Sequence, residues 1–127
     1  MEDEKTNSPM RFEDLEAWKA ARELTALIYR LCRREPLCRD FGLCDQLRRA
    51  SVSIMNNIAE GWESLHPAEK VQFYNVARRS CGEVRSMSYV LIDNAYVSDA
   101  EHRDIYDRAV RCGKLVTGLM HSAERRK

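Results

Sequence analysis

The sequence has few of the residues that make tight turns, with three Pro and five Gly among its 127 residues. An all-β fold needs many turns, and these numbers are too small to supply them. Long apolar runs are also missing: the longest is about YVLI at 89–92, whereas a membrane-spanning helix needs about 20 apolar residues. The opening MEDEK is acidic and lacks an apolar core, so we expect no secretory signal, no membrane association and a cytoplasmic protein.

An excess of one charge is missing as well, because 21 basic residues offset 20 acidic ones and leave a net charge of +1. This balance argues against a strongly electrostatic nucleic-acid binder. The basic residues are nevertheless uneven, since sixteen are Arg and five are Lys. Arg contacts phosphates and carboxylates through two parallel hydrogen bonds, so the bias indicates a binding surface, ion pairs at interfaces, or only an Arg-rich composition.

Motifs of common enzymes and metal sites are absent from the sequence. No P-loop, GxGxxG or GxSxG occurs, and the three His form no pair at i and i+4. The Cys are odd in number and show no CxxC spacing, which favours reduced thiols in the core or in loops over a zinc site. We therefore expect no metal, no cofactor and no catalytic residues. The cysteines are Cys32, Cys38, Cys44, Cys81 and Cys112.

Apolar residues recur at three- and four-residue steps through most of the chain, which predicts four helices. The predicted ranges are 12–34, 41–61, 67–95 and a fourth helix that starts after 98. Pro36 is expected to stop the first helix, and Asp40 to cap the second. Pro67 suits the first position of the third helix. Ser98 and Glu101 form a capping box for the fourth.

Four long helices with short links and no strand pattern predict an all-α fold, an antiparallel up-and-down four-helix bundle. The predicted domain spans 12–123, with a flexible tail at 1–11 and a basic tail at 124–127. The positions predicted to face the core, outside the second helix, are Trp18, Ala21, Leu24, Ile28, Leu31, Tyr74, Ala77, Cys81, Val84, Ser88, Leu91, Ala95, Ala109, Cys112, Val116, Leu119 and Ala123.

The second helix has two apolar faces, whereas a surface helix needs one. At about 100° per residue, one face holds the core stripe and the other faces away from it. Because one bundle can bury only one side, the second face predicts a contact between subunits of a homo-oligomer. The alternative is that these are scattered surface residues, which are common. The core stripe is Leu47, Ala50, Ile54, Ile58 and Gly61, and the second face is Val52, Met55, Ala59 and Trp62.

A polar seam separates these two faces, and its residues are Arg49, Ser53, Asn56, Asn57 and Glu60. One interpretation is a structural hydrogen-bond network between helices. A second is a nucleic-acid surface, because Arg and Asn contact phosphates and base edges. A catalytic site is the weakest interpretation, since Ser53 has no His or Lys beside it to act as its base.

Further basic residues lie on the last two helices and form a candidate nucleic-acid surface together with the Arg pair of the second helix. Solvated surface charges are the simpler interpretation. The candidates are Arg48, Arg49, Arg78, Arg79, Arg85, Arg108, Arg111 and Lys114.

Three segments carry a resemblance to a known family: FEDLEAWKAARELTALIYRL, FGLCDQLRRASVSIMNNIAEGW and FYNVARRSCGEVRSMSYVL. They resemble the four helix bundle protein family, which includes proteins encoded by intervening sequences in bacterial large-subunit ribosomal RNA genes. The resemblance covers about 12–119, and QLRRASVSIMNNIAEG is its most specific part. The sequence departs from the family pattern at SCGEV, where Cys81 or Gly82 replaces a longer apolar residue.

The resemblance implies a small antiparallel bundle that commonly assembles as a ring of five subunits. A related accessory protein of diversity-generating retroelements forms such a ring and works with a reverse transcriptase and nucleic acid. The leading hypothesis is therefore a non-enzymatic pentamer that associates with RNA or DNA. The alternative is a protein-interaction scaffold that holds a partner enzyme, such as a reverse transcriptase, without reading nucleic acid itself.

Overall fold

The computed structural model describes residues 10–125, and these residues form four long α-helices with no β-strand. Helix α1 spans Glu16–Leu31, α2 Phe41–Glu63, α3 Pro67–Asp93 and α4 Asp99–Glu124. Single turns of 3-10 helix occur at Phe12–Asp14 and Leu37–Arg39. Most of the predicted flexible tail, residues 1–9, and the last two residues of the predicted basic tail lie outside the described residues.

Each helix packs against the next one along the chain, and α1 also packs against α4, which closes the bundle. Two ion pairs show that α1 and α4 are antiparallel. Arg34, just after α1, pairs with Glu101 at the start of α4, whereas Glu16 at the start of α1 pairs with Arg111, about three turns further along α4. The all-α prediction and the four-helix bundle are therefore confirmed.

Four predicted helix ends differ from the structure: both ends of the first helix and the last residues of the second and third. The second helix ends at Glu63 and not at 61. The first helix starts at Glu16 and not at 12, because Leu15 is extended, with φ −74° and ψ 131°. It ends at Leu31, well before Pro36, because the turns that follow are closed by hydrogen bonds of shorter span along the sequence. One of them joins the Arg34 N–H to the Leu31 carbonyl at 3.0 Å. These bonds span three residues, so they tighten the chain out of the α-helix.

The third helix ends at Asp93 and not at 95, because Ala95 takes a positive φ of 57°. The Tyr96 N–H donates to the Leu91 carbonyl at 2.9 Å, and the Ala95 N–H donates to the Ile92 carbonyl at 3.0 Å. This pair of bonds is the Schellman ending, in which the left-handed position is usually glycine. Ala95 is exposed, so its predicted place in the core was wrong.

The predicted caps are confirmed. The Asp40 carboxylate accepts a hydrogen bond from the Leu43 N–H at 3.2 Å, and Pro67 is the first residue of α3. Ser98 Oγ accepts from the Glu101 N–H at 3.2 Å while the Glu101 carboxylate accepts from the Ser98 N–H at 2.9 Å.

The core lies where the helical periodicity places it. All five residues of the predicted core stripe of α2 are buried, and Ile54 and Ile58 have no exposed surface. Trp18 and Leu119, also predicted to face the core, are half-buried at its edge. Small polar residues join the apolar ones where helices cross. Thr25 Oγ1 donates to the carbonyls of Ala21 at 2.8 Å and of Ser51 at 3.2 Å, which satisfies its buried hydroxyl.

Candidate functional site

A groove with basic walls runs between α3 and α4. Its volume is about 480 Å³. Small side chains form its floor, and the cations lie along α3 on one side and at Lys114 of α4 on the other. The lining residues are Arg78, Arg79, Cys81, Gly82, Arg85, Ala109, Val110, Gly113, Lys114 and Thr117.

Two glycines keep this groove open. A Cβ atom added at Gly82 would meet nothing within 4 Å, and one added at Gly113 would approach only Cys81 Cβ, at 3.8 Å. A longer side chain at 82 would therefore project into the groove. The departure from the family pattern at Cys81 and Gly82 falls at this floor, and this departure is the sequence signal that marks it.

The Cys81 thiol in the floor of the groove is uncharged at neutral pH. Cys81 and Cys112 are buried between α3 and α4. Hydrogen bonding to Cys112, together with burial, raises the pKa of the Cys81 thiol, so this thiol stays protonated. Cys81 therefore adds no charge to the groove, and the cations are on its walls.

The cations of the groove have no acidic partner among residues 10–125, whereas six arginines elsewhere in this part of the chain do. Among residues 10–125, Arg79, Arg85 and Lys114 form no ion pair with a carboxylate. Arg78 reaches the neutral amide oxygen of Asn75, at 3.4 Å, and no carboxylate in the described part of the chain. Four positive charges around one concave surface attract an anion with several phosphates.

Arg48 and Arg49 lie elsewhere, in a second groove between α1 and α2. This groove contains an acid, because Arg49 Nε lies 2.9 Å from the Asp45 carboxylate. The Arg48 guanidinium lies 6.0 Å from the ring centroid of Tyr29. The positive charge of this groove is therefore partly neutralised, in contrast to the groove between α3 and α4.

Arg108 and Arg111 of α4 point toward α1. Arg108 lies 3.5 Å from the Glu23 carboxylate and 2.9 Å from that of Asp104. Arg111 lies 3.9 Å from Glu16. The structure thus separates these two residues from Lys114, although all three are close in sequence, and places them in contacts between helices.

The polar seam of α2 divides into a bonded part and an exposed part. Asn57 Nδ2 donates to the carbonyl and to the hydroxyl of Ser53, at 2.8 and 3.1 Å. Ser80 Oγ on α3 lies 3.0 Å from Ser53 Oγ, so one hydroxyl donates to the other across the two helices. Asn56 and Glu60 are exposed. The bonded part fits the interpretation as a structural network.

The second apolar face of α2 is half-buried along its length, at Val52, Met55, Ala59 and Trp62. Met55 and Trp62 pack against the core. The Trp62 indole N–H donates to the Met10 carbonyl at 3.4 Å, and the Lys70 ammonium lies 5.6 Å from its ring centroid. The chain itself therefore covers the Trp62 end of this face.

Two further properties of the described residues concern metals and membranes. No group of three His, Cys, Asp or Glu side chains is arranged to hold a metal ion within residues 10–125. In the same part of the chain, no helix combines the length and the apolar character needed to cross a membrane.

The fold and the groove define a small four-helix bundle with a cationic surface groove. The sequence profile of the 23S rRNA-intervening sequence protein family matches residues 13–118, and the chain belongs to this family. No curated protein sequence matches the chain.

A solved structure shares the fold. The crystal structure of a protein with unknown function from the S23 ribosomal protein family of Bacteroides thetaiotaomicron VPI-5482 superposes with a TM-score of 0.75 at 20% sequence identity. The match covers 82% of this chain and 97% of that one.

Proposed function

We propose that this protein is a non-enzymatic homo-oligomer that associates with nucleic acid, preferentially RNA, through the groove between α3 and α4. The observation that carries the proposal is the set of four cations at Arg78, Arg79, Arg85 and Lys114, which lack carboxylate partners among residues 10–125. Three of the four are Arg, whose planar fork matches phosphate oxygens.

The low net charge fits this proposal when the subunits assemble. A single subunit of net charge +1 has little long-range attraction for a polyanion. Several grooves held in one assembly bind one strand repeatedly, and the linked contacts raise the overall affinity by about 10²- to 10⁴-fold. The resemblance supports a ring of five subunits. The intervening-sequence family supports RNA as the first nucleic acid to test.

Filling the groove tests the proposal without removing any charge. Gly82→Met projects a side chain into the groove, and we expect it to reduce RNA affinity at low salt. The matched control is Gly118→Met, because Gly118 is also a helical glycine with nothing within 4 Å and does not line the groove. Fluorescence anisotropy with a labelled structured RNA measures both variants.

Removing a single cation tests the role of phosphate. The logarithm of the association constant falls linearly with the logarithm of the salt concentration. Each lost phosphate contact makes this line less steep by about 0.7 for single strands and about 0.9 for duplexes. We expect this change for Lys114→Gln. Arg39→Gln is the control, because Arg39 is exposed, pairs with Glu35 at 3.0 Å and lies outside the groove. Equal effects of the two variants, or no RNA binding at low salt, would contradict the proposal.

The oligomer is tested on helix α2. Ile54 is fully buried, so Ile54→Glu should unfold the subunit, because an unpaired buried charge lowers the free energy of unfolding by several kcal/mol. Met55 lies on the second apolar face, so Met55→Glu should release folded monomers. Light scattering and far-UV circular dichroism separate the two outcomes. A wild-type protein that is monomeric at micromolar concentration would refute the assembly.

The second candidate function is a scaffold that holds a partner enzyme, such as a reverse transcriptase. Large apolar side chains at the ends of the bundle favour it, because Phe41 is 77% exposed and Leu65 is 87% exposed. Phe41 is the first residue of α2 and Leu65 follows its end, so each is a separate point of contact for a partner. An assembled ring that fails to bind RNA at low salt would leave this candidate as the better one.

A further inference from the structure

An aromatic cluster lies on the same pair of helices as the basic groove. It consists of Tyr89 on α3 and of His102 and Tyr106 on α4. The Tyr89 ring centroid lies 5.0 Å from that of His102 and 6.0 Å from that of Tyr106. Tyr89 is 50% exposed, whereas Leu91, two residues on, is fully buried. The cluster is therefore a surface feature and not part of the core.

Arg85 joins this cluster to the groove. It lines the groove, and its guanidinium lies 5.7 Å from the ring centroid of Tyr106. Tyr89 follows one helical turn later on the same helix. From Arg78 to Tyr89 the helix rises by about 16 Å, at 1.5 Å per residue. The cations of α3 and the exposed ring of Tyr89 thus form one continuous track, with His102 and Tyr106 half-buried beside it.

We propose that Tyr89, supported by His102 and Tyr106, is a stacking platform for an unpaired base, so that the nucleic acid in this groove is single-stranded. This inference rests on the proposed function. Guanidinium groups along the track hold the phosphates, while an exposed ring at its end offers a flat apolar face to a base. In a duplex the faces of the bases are already stacked on each other, and only splayed bases can stack on a side chain.

The test compares three ligands and three variants. The ligands are a short oligouridylate, an abasic oligonucleotide of the same length and charge, and a blunt RNA duplex. Tyr89→Leu removes the ring but keeps an apolar side chain, and Tyr89→Phe keeps the ring. Tyr29→Leu is the control, because Tyr29 is an exposed tyrosine, 39% accessible, that lies beside Arg48 in the other groove. Circular dichroism checks that each variant is folded.

We expect wild-type protein to bind the oligouridylate about tenfold more tightly than the abasic strand, since stacking on an aromatic ring contributes of this order per base. Tyr89→Leu should abolish this difference by weakening only the oligouridylate, whereas Tyr89→Phe and Tyr29→Leu should preserve it. The duplex should bind less tightly than the oligouridylate.

Equal binding of the abasic strand and the oligouridylate by wild type would overturn the inference and leave the proposed function intact. The same holds if Tyr89→Leu weakens both strands equally, or if the duplex binds best. Failure of all three ligands to bind at low salt would overturn the proposed function and this inference with it.

Discussion

The contact between Gly61 and Tyr74 holds α2 against α3 and explains the glycine that ends the sequence NIAEG. A Cβ atom at 61 would lie 2.5 Å from Tyr74 Cε1 and 2.7 Å from Cδ1, well inside van der Waals contact. The Tyr74 ring is 2% exposed, so it cannot move into solvent without leaving the core. Gly61→Ala should therefore strain the packing of the two helices.

The expected size follows from two opposing effects. Overpacking a buried site costs about 1–3 kcal/mol, and the approach of three ring atoms favours the upper end. Replacing a helical Gly with Ala returns about 1 kcal/mol through helix propensity. The net loss is about 2 kcal/mol, which for a chain of this size lowers Tm by roughly 8 °C.

Thermal and urea unfolding at matched protein concentration measure this loss, since the stability of an oligomer depends on concentration. Gly118→Ala is the control, because nothing lies within 4 Å of its added Cβ, and it should stabilise the protein by about 1 kcal/mol. In a Tyr74→Leu background the added methyl should be much better tolerated. A Gly61→Ala protein as stable as wild type would refute the assigned contact.

Two further predictions concern the loop between α3 and α4 and the first turn of α4. Ala95→Gly should stabilise the protein by about 1 kcal/mol in urea unfolding, because Ala95 has a φ of 57° and glycine adopts this conformation without strain; a loss of stability would contradict this. Hydrogen bonds from Arg34 and from the Ser98 backbone lower the pKa of Glu101 from 4.5 to about 2. As the pH falls, the Glu101 carboxylate takes up a proton in the unfolded chain before it does so in the folded chain. The stabilisation is therefore complete above about pH 4.5 and is lost as the pH falls toward 2. Both partners of the ion pair are more than a third exposed, so its contribution is less than about 1 kcal/mol. Glu101→Gln should flatten this part of the stability–pH curve, and an unchanged curve would show that the pair contributes nothing.

Helices, caps and core were predictable because each depends on residues close together in the sequence. A stripe at three- and four-residue steps identifies a buried face wherever the helix packs. The caps at Asp40 and Ser98 use side chains that bond within the same turn. Helix ends were less accurate, since Leu15 and Ala95 depart from helical geometry through backbone angles that their residue types do not require.

The grouping of the basic residues was not predictable, because it depends on how α3 and α4 are rotated against each other. Arg111 and Lys114 are three residues apart, yet one reaches Glu16 on α1 and the other lines the groove. The prediction placed both residues on one surface because they are close in sequence, whereas helix packing separates them. The aromatic cluster was missed for the same reason, since Tyr89 meets His102 only across the two helices.

The excess of Arg over Lys has different structural consequences at different positions. Arg34 binds both Glu101 and the Tyr96 carbonyl, at 3.0 Å to the latter, and Arg108 bridges Glu23 and Asp104. A planar group with several donors suits such multiple contacts, and these arginines fasten helices and loops. Because their charges are matched by carboxylates, they contribute little to the field around the protein. The net charge of +1 is therefore a sum over paired and unpaired groups of both signs, and the cations that line the groove have no carboxylate partner among residues 10–125. A balanced total charge is thus compatible with a strongly positive local surface, which is why the groove and not the overall composition is the feature to test.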